Sequence, residues 1–287
     1  MSDLSSKRTA DYVGNESTAF RLRPRIWVGL VAVAFYVFLA GWIGQYLGEL
    51  APEGDSLADF ALGHFIPLPI GIGIALLFLR LSGWQRAAWT SASVIGERRR
   101  WWMLAIPVLL LVQITIGLST EDWQGKVAST VIIVLAGTLL VGIGEELYLR
   151  GILRVAVLER HGEFAALLIT SVVFGLAHTV KFLIEGLPVG LVLFQIVFLA
   201  MDGALFYGAL RATGTLWVPI VLHALNDFQL YLHAGTDGGA PAREFGDDPI
   251  TIGAEFMLMG LSVALVISTI RNDQRRRKER REQVVST

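Results

Sequence analysis

Long apolar runs are the feature that most constrains how this chain folds. A bilayer core about 30 Å thick is crossed by roughly 20 apolar residues in a helix. Eight stretches meet or approach that length: 26–47, 60–79, 101–118, 127–149, 164–182, 187–210, 216–232 and 250–270. The second contains Pro67 and Pro69, which predict a kink. The sequence therefore predicts an all-α, polytopic transmembrane helical bundle of about eight spans.

The low content of charged residues leads to the same conclusion. Only 17% of the residues are charged, whereas a soluble domain carries about 25%, so there is too little charge to cover a water-facing surface. This excludes a nucleic-acid binder, a disordered chain and a secreted disulfide scaffold. The chain has no cysteine, which also excludes disulfides, thiol catalysis and cysteine-ligated metal sites.

Charges in the connecting segments alternate in sign along the chain. Basic residues precede the first span, separate the second from the third, and follow the fourth, sixth and eighth, while acidic residues occupy the other connections. Basic loops stay cytoplasmic, so both termini are expected in the cytoplasm. We expect a polar tail over 1–25, one transmembrane domain over 26–270 and a basic tail over 271–287. That basic tail is expected to contact anionic lipid head groups and not nucleic acid.

A second feature is a set of ionisable and polar side chains inside spans four to seven. Such groups are costly in a bilayer and usually functional. They are Glu145, Glu146, His178, Asp202, His223, Asn226 and Asp227. We interpret Asp202 as a packing group. We interpret His64 and Glu255, near the outer starts of their spans, as interfacial.

The spacing of these residues predicts that three helices bring them together. Glu146 and His178 each lie sixteen residues from a turn expected at Gly162, which corresponds to about 24 Å along each helix. His223 lies nine residues after Gly214, or about 13 Å. If the end of the fourth helix projects into the cytoplasm, these depths agree. We therefore expect one intramembrane pocket.

Local spacing also divides the roles of the polar residues. Glu146 and Arg150 are four residues apart with the acid first, the favourable order for a helical ion pair. Glu145 is rotated by about 100° from Glu146 and is left for chemistry as a general base. His223 and Asp227 are also four residues apart, so the carboxylate can hold the imidazole in one tautomer.

Three motifs on successive polar spans carry a family resemblance. They read Glu145-Glu146-Leu-Tyr-Leu-Arg150, Phe174-Gly-Leu-Ala-His178 and His223-Ala-Leu-Asn226-Asp227. In this order they are similar to the EExxxR, FxxxH and HxxxN motifs of the CPBP intramembrane proteases, the CAAX-processing and bacteriocin-self-immunity (Abi) family. The resemblance covers about residues 127–232. It implies hydrolysis of a peptide bond near the C-terminus of an apolar or lipidated substrate. The partners are then this substrate and membrane lipid, in a bacterial cytoplasmic membrane.

The resemblance also implies roles for single residues. Glu145 and His178 activate water, and His223 with an Asx residue stabilises the oxyanion. Asp227 stands where the family often has Asn, and an ionised Asp cannot donate a hydrogen bond. Either Asp227 is protonated, or it orients His223, or it binds metal through a shared water. Asn226 can donate, but it lies about 100° round the helix.

Two chemical schemes use the same residues. Glu145, His178 and His223 form an acceptable zinc set with a fourth position for water. The HExxH helix that places two ligands and a base is absent from the sequence. If Glu145 were a zinc ligand, Glu146 would have to be the general base, although its ion pair with Arg150 would make it less available to accept a proton. We favour metal-free activation of water by a glutamate, with zinc as the alternative and no other cofactor expected.

Two other function classes compete with a protease. Intramembrane Glu and His residues also mark transporters and proton relays, but a transporter more often shows broken helices in pairs and an internal repeat, which this sequence does not have. A non-catalytic immunity or scaffold protein is the other alternative. The presence of every motif acid and imidazole argues against it.

Overall fold

The computed structural model describes residues 20–91, 100–179, 182, 186–235 and 249–285. Within these ranges the chain is helical, and the only β-structure is one isolated bridge between Thr90 and Thr215. The all-α prediction is confirmed. Residues 1–19 of the predicted N-terminal tail and residues 286–287 of the predicted C-terminal tail lie outside the described ranges.

Each of the eight predicted spans corresponds to a helix in the described part of the chain. They are α1 (Ile26–Gly48), α2 (Ser56–Ser82), α3 (Trp101–Ser119), α4 (Ala128–Leu158), α5 (Glu163–Ala177), α6 (Val189–Thr213), α7 (Trp217–Ala234) and α8 (Pro249–Val285). Six described helices are long and apolar enough to cross a membrane, namely all except α5 and α7. Helix α5 has 15 residues, and α7 carries the polar residues of the third motif.

Four of the described helices depart from regular α geometry. Helix α1 changes to π geometry over Phe38–Ile43, and α3 begins with a 3₁₀ turn over Trp101–Leu104. Helix α2 is interrupted at Ile66, between Ser56–Phe65 and Pro67–Ser82, because Pro67 has no N–H to continue the hydrogen-bond ladder. The expected irregularity at this proline is confirmed. Helix α4 changes to π geometry over Leu147–Leu153, directly after the paired glutamates. Single π-helical turns inside α-helices are frequent at functional sites, and the sequence did not reveal this one.

Close approach of α4 and α7 joins two of the three motifs. A Cβ atom on Gly142 would lie 2.7 Å from the carbonyl oxygen of Ile220 and 3.0 Å from the backbone nitrogen of Ala224. Only a residue without a side chain fits there, since larger ones would push the two backbones apart. Glu146 lies one turn further along α4, and His223 lies between the two contacted residues of α7. This contact therefore sets the distance between them.

The turn between α4 and α5 is fastened by the last helix. Helix α5 begins at Glu163, directly after Gly162, as the sequence predicts. Asp273 on α8 accepts hydrogen bonds from the backbone N–H groups of Glu163 and Phe164, both at 3.0 Å. Helix α8 continues to Val285, so the described part of the basic segment after residue 270 is helical and continuous with the last span.

A buried carboxylate completes this junction. Glu163 accepts hydrogen bonds from Arg211 at 2.5 Å and from Asn272 at 2.9 Å, and lies 3.7 Å from Arg100. Burial alone raises the pKa of the Glu163 carboxyl, but the Arg211 and Arg100 guanidiniums outweigh burial, and the pKa lies below its usual value. The ionised group thus ties α5, α6 and α8 together.

Candidate active site

Glu146 is the carboxylate that joins α4 to α7. Its Oε1 accepts a hydrogen bond from Arg150 Nη1 at 2.8 Å and another from His223 Nδ1 at 3.0 Å. The side chains of Glu146 and Arg150 are fully buried. The ion pair predicted from their four-residue spacing is present. Because both bonds end on the same oxygen, the position of His223 depends on the Glu146–Arg150 pair.

Arg150 connects α4 to two further helices. Its Nη2 donates to the carbonyl oxygen of Gly203 on α6 at 2.8 Å. Its guanidinium carbon lies 4.8 Å from the centroid of the Phe174 ring on α5 and 5.7 Å from that of Phe206 on α6. A planar guanidinium can bond in its plane and stack on its face at once. Arg150 thus fixes the positions of Glu146, Phe174 and Phe206 relative to one another.

His223 is held between two aromatic rings and two carboxylates. Phe206 stacks on the imidazole with centroids 4.6 Å apart, and Phe174 meets it edge-on at 5.5 Å. While Nδ1 donates to Glu146, Nε2 lies 3.5 Å from Asp227 Oδ2. A carboxylate oxygen at each nitrogen suits a ring that carries a proton on each. His223 is therefore fixed in orientation and suited to donate from Nε2.

His178 differs from His223 in that its Nε2 is an acceptor and not a donor. Its Nδ1 lies 2.9 Å from the carbonyl oxygen of Phe174, and a carbonyl only accepts, so Nδ1 carries the hydrogen. In the neutral ring Nε2 then carries the lone pair. The imidazole also packs on the Phe174 ring at 5.1 Å and is half-buried. His178 is thus suited to accept a hydrogen bond or a proton at Nε2.

Glu145 differs from its neighbour Glu146 in burial and in hydrogen bonding. It is half-buried, and within the described ranges it makes no hydrogen bond or ion pair. It nonetheless interacts electrostatically with Arg150, His223 and Asp227, and Asp227 interacts in turn with His178. Ionisable residues of all three motifs thus lie close enough to interact electrostatically.

The structure distinguishes the two Asx residues of the third motif. Asn226 is buried, and its Oδ1 accepts a hydrogen bond from Gln229 at 3.4 Å. Asp227 lies on the side of α7 that faces His223. The structure therefore brings Asp227 to the imidazole, while Asn226 bonds along its own helix.

Three other polar residues lie elsewhere. Asp202 lines a small pocket between α6 and α8 together with Glu255. Glu255 is 4% exposed, because α8 packs against α6, and its interfacial depth in the membrane stays a prediction. His64 stacks on Phe60 with centroids 4.0 Å apart, and its Nδ1 lies 2.7 Å from the Phe60 carbonyl oxygen.

A resident metal ion does not fit the side chains as they are arranged. No group of three His, Asp or Glu side chains in the described ranges is placed to hold one. Both nitrogens of His223 face carboxylates, Glu146 at Nδ1 and Asp227 at Nε2. Of these two rings, only His178 leaves a nitrogen open within the described part of the chain, because its Nδ1 bonds to a carbonyl and its Nε2 does not. The zinc set of Glu145, His178 and His223 stays a prediction, which metal analysis of the purified protein would test.

Two contributors to the site were missed by sequence reasoning. Gly203 supplies a carbonyl to Arg150, and Phe206 covers His223. They are three residues apart on α6 and so share one face. An aromatic residue and a glycine in an apolar span carry no signal that separates them from ordinary packing residues.

The comparisons with known proteins agree with the motifs. Residues 127–229 match the family model of type II CAAX prenyl endopeptidase Rce1-like proteins, and the resemblance seen in the sequence is thereby confirmed. The match covers α4 to α7 almost completely and includes every motif residue. No curated protein and no solved structure matches the chain. The similarity supports an integral multi-pass membrane protein whose general function is that of an intramembrane endopeptidase.

Proposed function

We propose that this protein hydrolyses a peptide bond near the C-terminus of a lipidated or apolar substrate with a water activated by Glu145 and His178. The observation that carries the proposal is the contrast between adjacent glutamates. Glu146 is fully buried and bonded to Arg150 and His223. Glu145 is half-buried and makes no hydrogen bond within the described ranges. One acid holds the site in shape, and the other is available to react.

Activation of water uses two acceptors. The Glu145 carboxylate takes a proton from the water, and His178 Nε2 accepts its second hydrogen as a hydrogen bond, which orients the oxygen. The water oxygen forms a bond to the substrate carbonyl carbon while the C=O electron pair moves onto the carbonyl oxygen. Glu145 then returns the proton to the amide nitrogen as the C–N bond breaks. General acid–base catalysis of this kind contributes about 10²–10⁴-fold.

Stabilisation of the oxyanion falls to His223. Glu146 accepts at Nδ1, and Asp227 Oδ2 lies 3.5 Å from Nε2, so each carboxylate favours a hydrogen on the nitrogen it faces. The Nε2–H is then the donor for the charge that develops on the substrate oxygen. The stacked Phe206 ring prevents the imidazole from turning. A donor fixed in advance in a water-poor site is worth more than the same donor in water.

The substrate class follows from the surroundings of the site. Helices that are long and apolar enough to cross a membrane surround these side chains, so a substrate reaches them most easily from the lipid phase. The matched family model describes CAAX prenyl endopeptidases, which favours a lipidated C-terminal segment. Membrane lipid and such a peptide are therefore the proposed partners.

The test is peptide cleavage by the purified protein in lipid. A prenylated peptide that ends in a CAAX sequence and an apolar unlipidated peptide are incubated with wild type, Glu145→Gln and Glu279→Gln, and the products are identified by mass spectrometry. Gln keeps the shape of Glu but takes no proton, so Glu145→Gln should be inactive with unchanged unfolding. Glu279 is an exposed glutamate on α8, and its variant should cleave like wild type.

Other outcomes separate the alternatives. Activity that survives extensive chelation supports a water activated by glutamate alone, whereas a loss reversed by zinc supports the metal scheme. Full activity in Glu145→Gln would contradict both. In that case proton flux measured in liposomes would distinguish a transporter from a non-catalytic scaffold.

A further inference from the structure

Tyr36 on α1 is an aromatic residue that the motifs do not include. It lies outside the matched residues 127–229 and is 4% exposed. Its buried hydroxyl makes no hydrogen bond within the described part of the chain. Buried polar groups are nearly always hydrogen-bonded, so each exception calls for an explanation. The explanation depends on what surrounds this hydroxyl.

The hydroxyl end of Tyr36 lies beside the reactive glutamate. A Cβ atom on Gly144 would come within 2.7 Å of Tyr36 Cζ and 2.8 Å of Cε2, so the ring rests on the α4 backbone directly before Glu145. Tyr36 also interacts electrostatically with both Glu145 and Asp227. The ring reaches this position only because residue 144 has no side chain.

The tyrosine that stacks on Tyr36 does have a hydrogen-bond partner for its hydroxyl. Tyr148 stacks on Tyr36 with centroids 4.7 Å apart. Its hydroxyl donates to the carbonyl oxygen of Gly71 at 2.9 Å. Of two stacked phenols, one is thus bonded to the fold, and the other is left as a donor beside Glu145 and Asp227.

We propose that the Tyr36 hydroxyl donates a hydrogen bond to the substrate oxyanion, as a second donor beside His223 Nε2–H. This inference rests on the proposed function. Asp227 faces His223 as an acceptor and, when ionised, has no hydrogen to donate, so the third motif supplies one donor from His223 alone. Tyr36 supplies the missing donor from a helix outside the matched region.

The step balances without any change of the phenol. As the water oxygen bonds to the carbonyl carbon, the C=O electron pair moves to the carbonyl oxygen and the water proton goes to Glu145. Tyr36 keeps its hydrogen throughout, and its hydrogen bond shortens as the charge on the oxygen grows. When the C–N bond breaks, that electron pair returns to the C=O bond, and the proton on Glu145 goes to the departing nitrogen.

The experiment compares Tyr36→Phe with Tyr148→Phe. Loss of one oxyanion donor lowers kcat by about 10²–10³-fold in a protease, so we expect a fall of this order for Tyr36→Phe with KM unchanged. Its thermal midpoint should not fall, because the hydroxyl removed is bonded to nothing in the described chain. Tyr148→Phe loses a bond to the fold and should keep its kcat.

The affinity for a transition-state analogue distinguishes an oxyanion donor from a residue that only packs, since loss of packing alone would not weaken binding of the analogue selectively. A peptide analogue with a tetrahedral, anionic phosphinate at the scissile bond should bind Tyr36→Phe more weakly, by a factor similar to the loss in kcat. The uncleaved peptide, measured in the Glu145→Gln background, should bind equally well with and without Tyr36→Phe.

The outcomes separate this inference from the function on which it rests. A wild-type protein that cleaves neither peptide removes the proposed function and this inference with it. An active wild type with equal kcat in Tyr36→Phe overturns the role of Tyr36 alone. Equal losses of kcat and thermal stability in both Tyr→Phe variants would mean that Tyr36 only packs, which also overturns it.

Discussion

Replacement of Arg150 by alanine tests whether a buried ion pair holds the candidate site together. The change removes a guanidinium that is fully buried, bonds to Glu146 Oε1 and to the Gly203 carbonyl oxygen at 2.8 Å each, and covers Phe174. After the change Glu146 remains as a buried carboxylate, with His223 as its remaining hydrogen-bond partner in the described chain.

The magnitude follows from the burial of both partners. Removal of one member of a buried ion pair costs about 3–5 kcal/mol in the free energy of unfolding, because an uncompensated charge is left in a low-dielectric interior. The hydrogen bond from His223 still satisfies part of Glu146, so we expect the lower half of this range. Activity should fall as well, since the same bond positions His223.

The assay is reversible unfolding in mixed micelles, together with peptide cleavage. Arg275 provides a matched control because it pairs with Glu279 at the same four-residue spacing, with side chains 59% and 55% exposed. Exposed pairs of this kind contribute about 0.3–0.5 kcal/mol. Arg275→Ala should therefore unfold almost like wild type, whereas Arg150→Ala should unfold much more readily.

Two results would refute this reasoning. If Arg150→Ala is no less stable than Arg275→Ala, the buried pair does not contribute as its burial implies. If Arg150→Ala is stable but inactive, then Arg150 acts on the substrate directly instead of holding Glu146 and His223 in place.

Three further predictions concern the site, the last helix and the membrane topology. His178→Ala should lower kcat nearly as far as Glu145→Gln without loss of thermal stability, because in the proposed mechanism the half-buried ring orients the water and contributes little to the fold; wild-type cleavage rates would contradict its role. Asp273→Ala should lower the free energy of unfolding by about 0.5–2 kcal/mol, the range for loss of a helix N-cap, and an unchanged denaturation curve would show that the α8 contact is dispensable. Reporter fusions at residue 54 and after residue 274 should lie on opposite sides of the membrane because the neighbouring segments are acidic and basic; the same side for both would contradict the topology.

The sequence by itself determined the elements and the contacts that lie within one helix. Apolar runs of about 20 residues can be satisfied in a bilayer as helices, and all eight appear as helices in the described chain. The rise and turn of a helix are constant, so residues four apart share a face. The Glu146–Arg150 pair followed from that constant, and so did the contact between His223 and Asp227.

Contacts between helices could be predicted only as a common depth. Equal offsets from Gly162 placed Glu146 and His178 at one level, but offsets say nothing about which way each helix is rotated. Two choices depended on that rotation. His223 Nδ1, and not another group, bonds to Glu146, and Asp227, and not Asn226, faces the imidazole.

Tertiary structure alone decided the supporting groups of the site. The Gly203 carbonyl and the Phe206 ring come from a helix outside the three motifs, as does the proposed donor Tyr36. Each reads in sequence as an ordinary residue of an apolar span. The Tyr36 ring, for example, reaches its position because residue 144 is a glycine, and α4 approaches α7 closely because residue 142 is one. A local pattern determines a helix and its faces, whereas the packing of all helices together determines which faces meet.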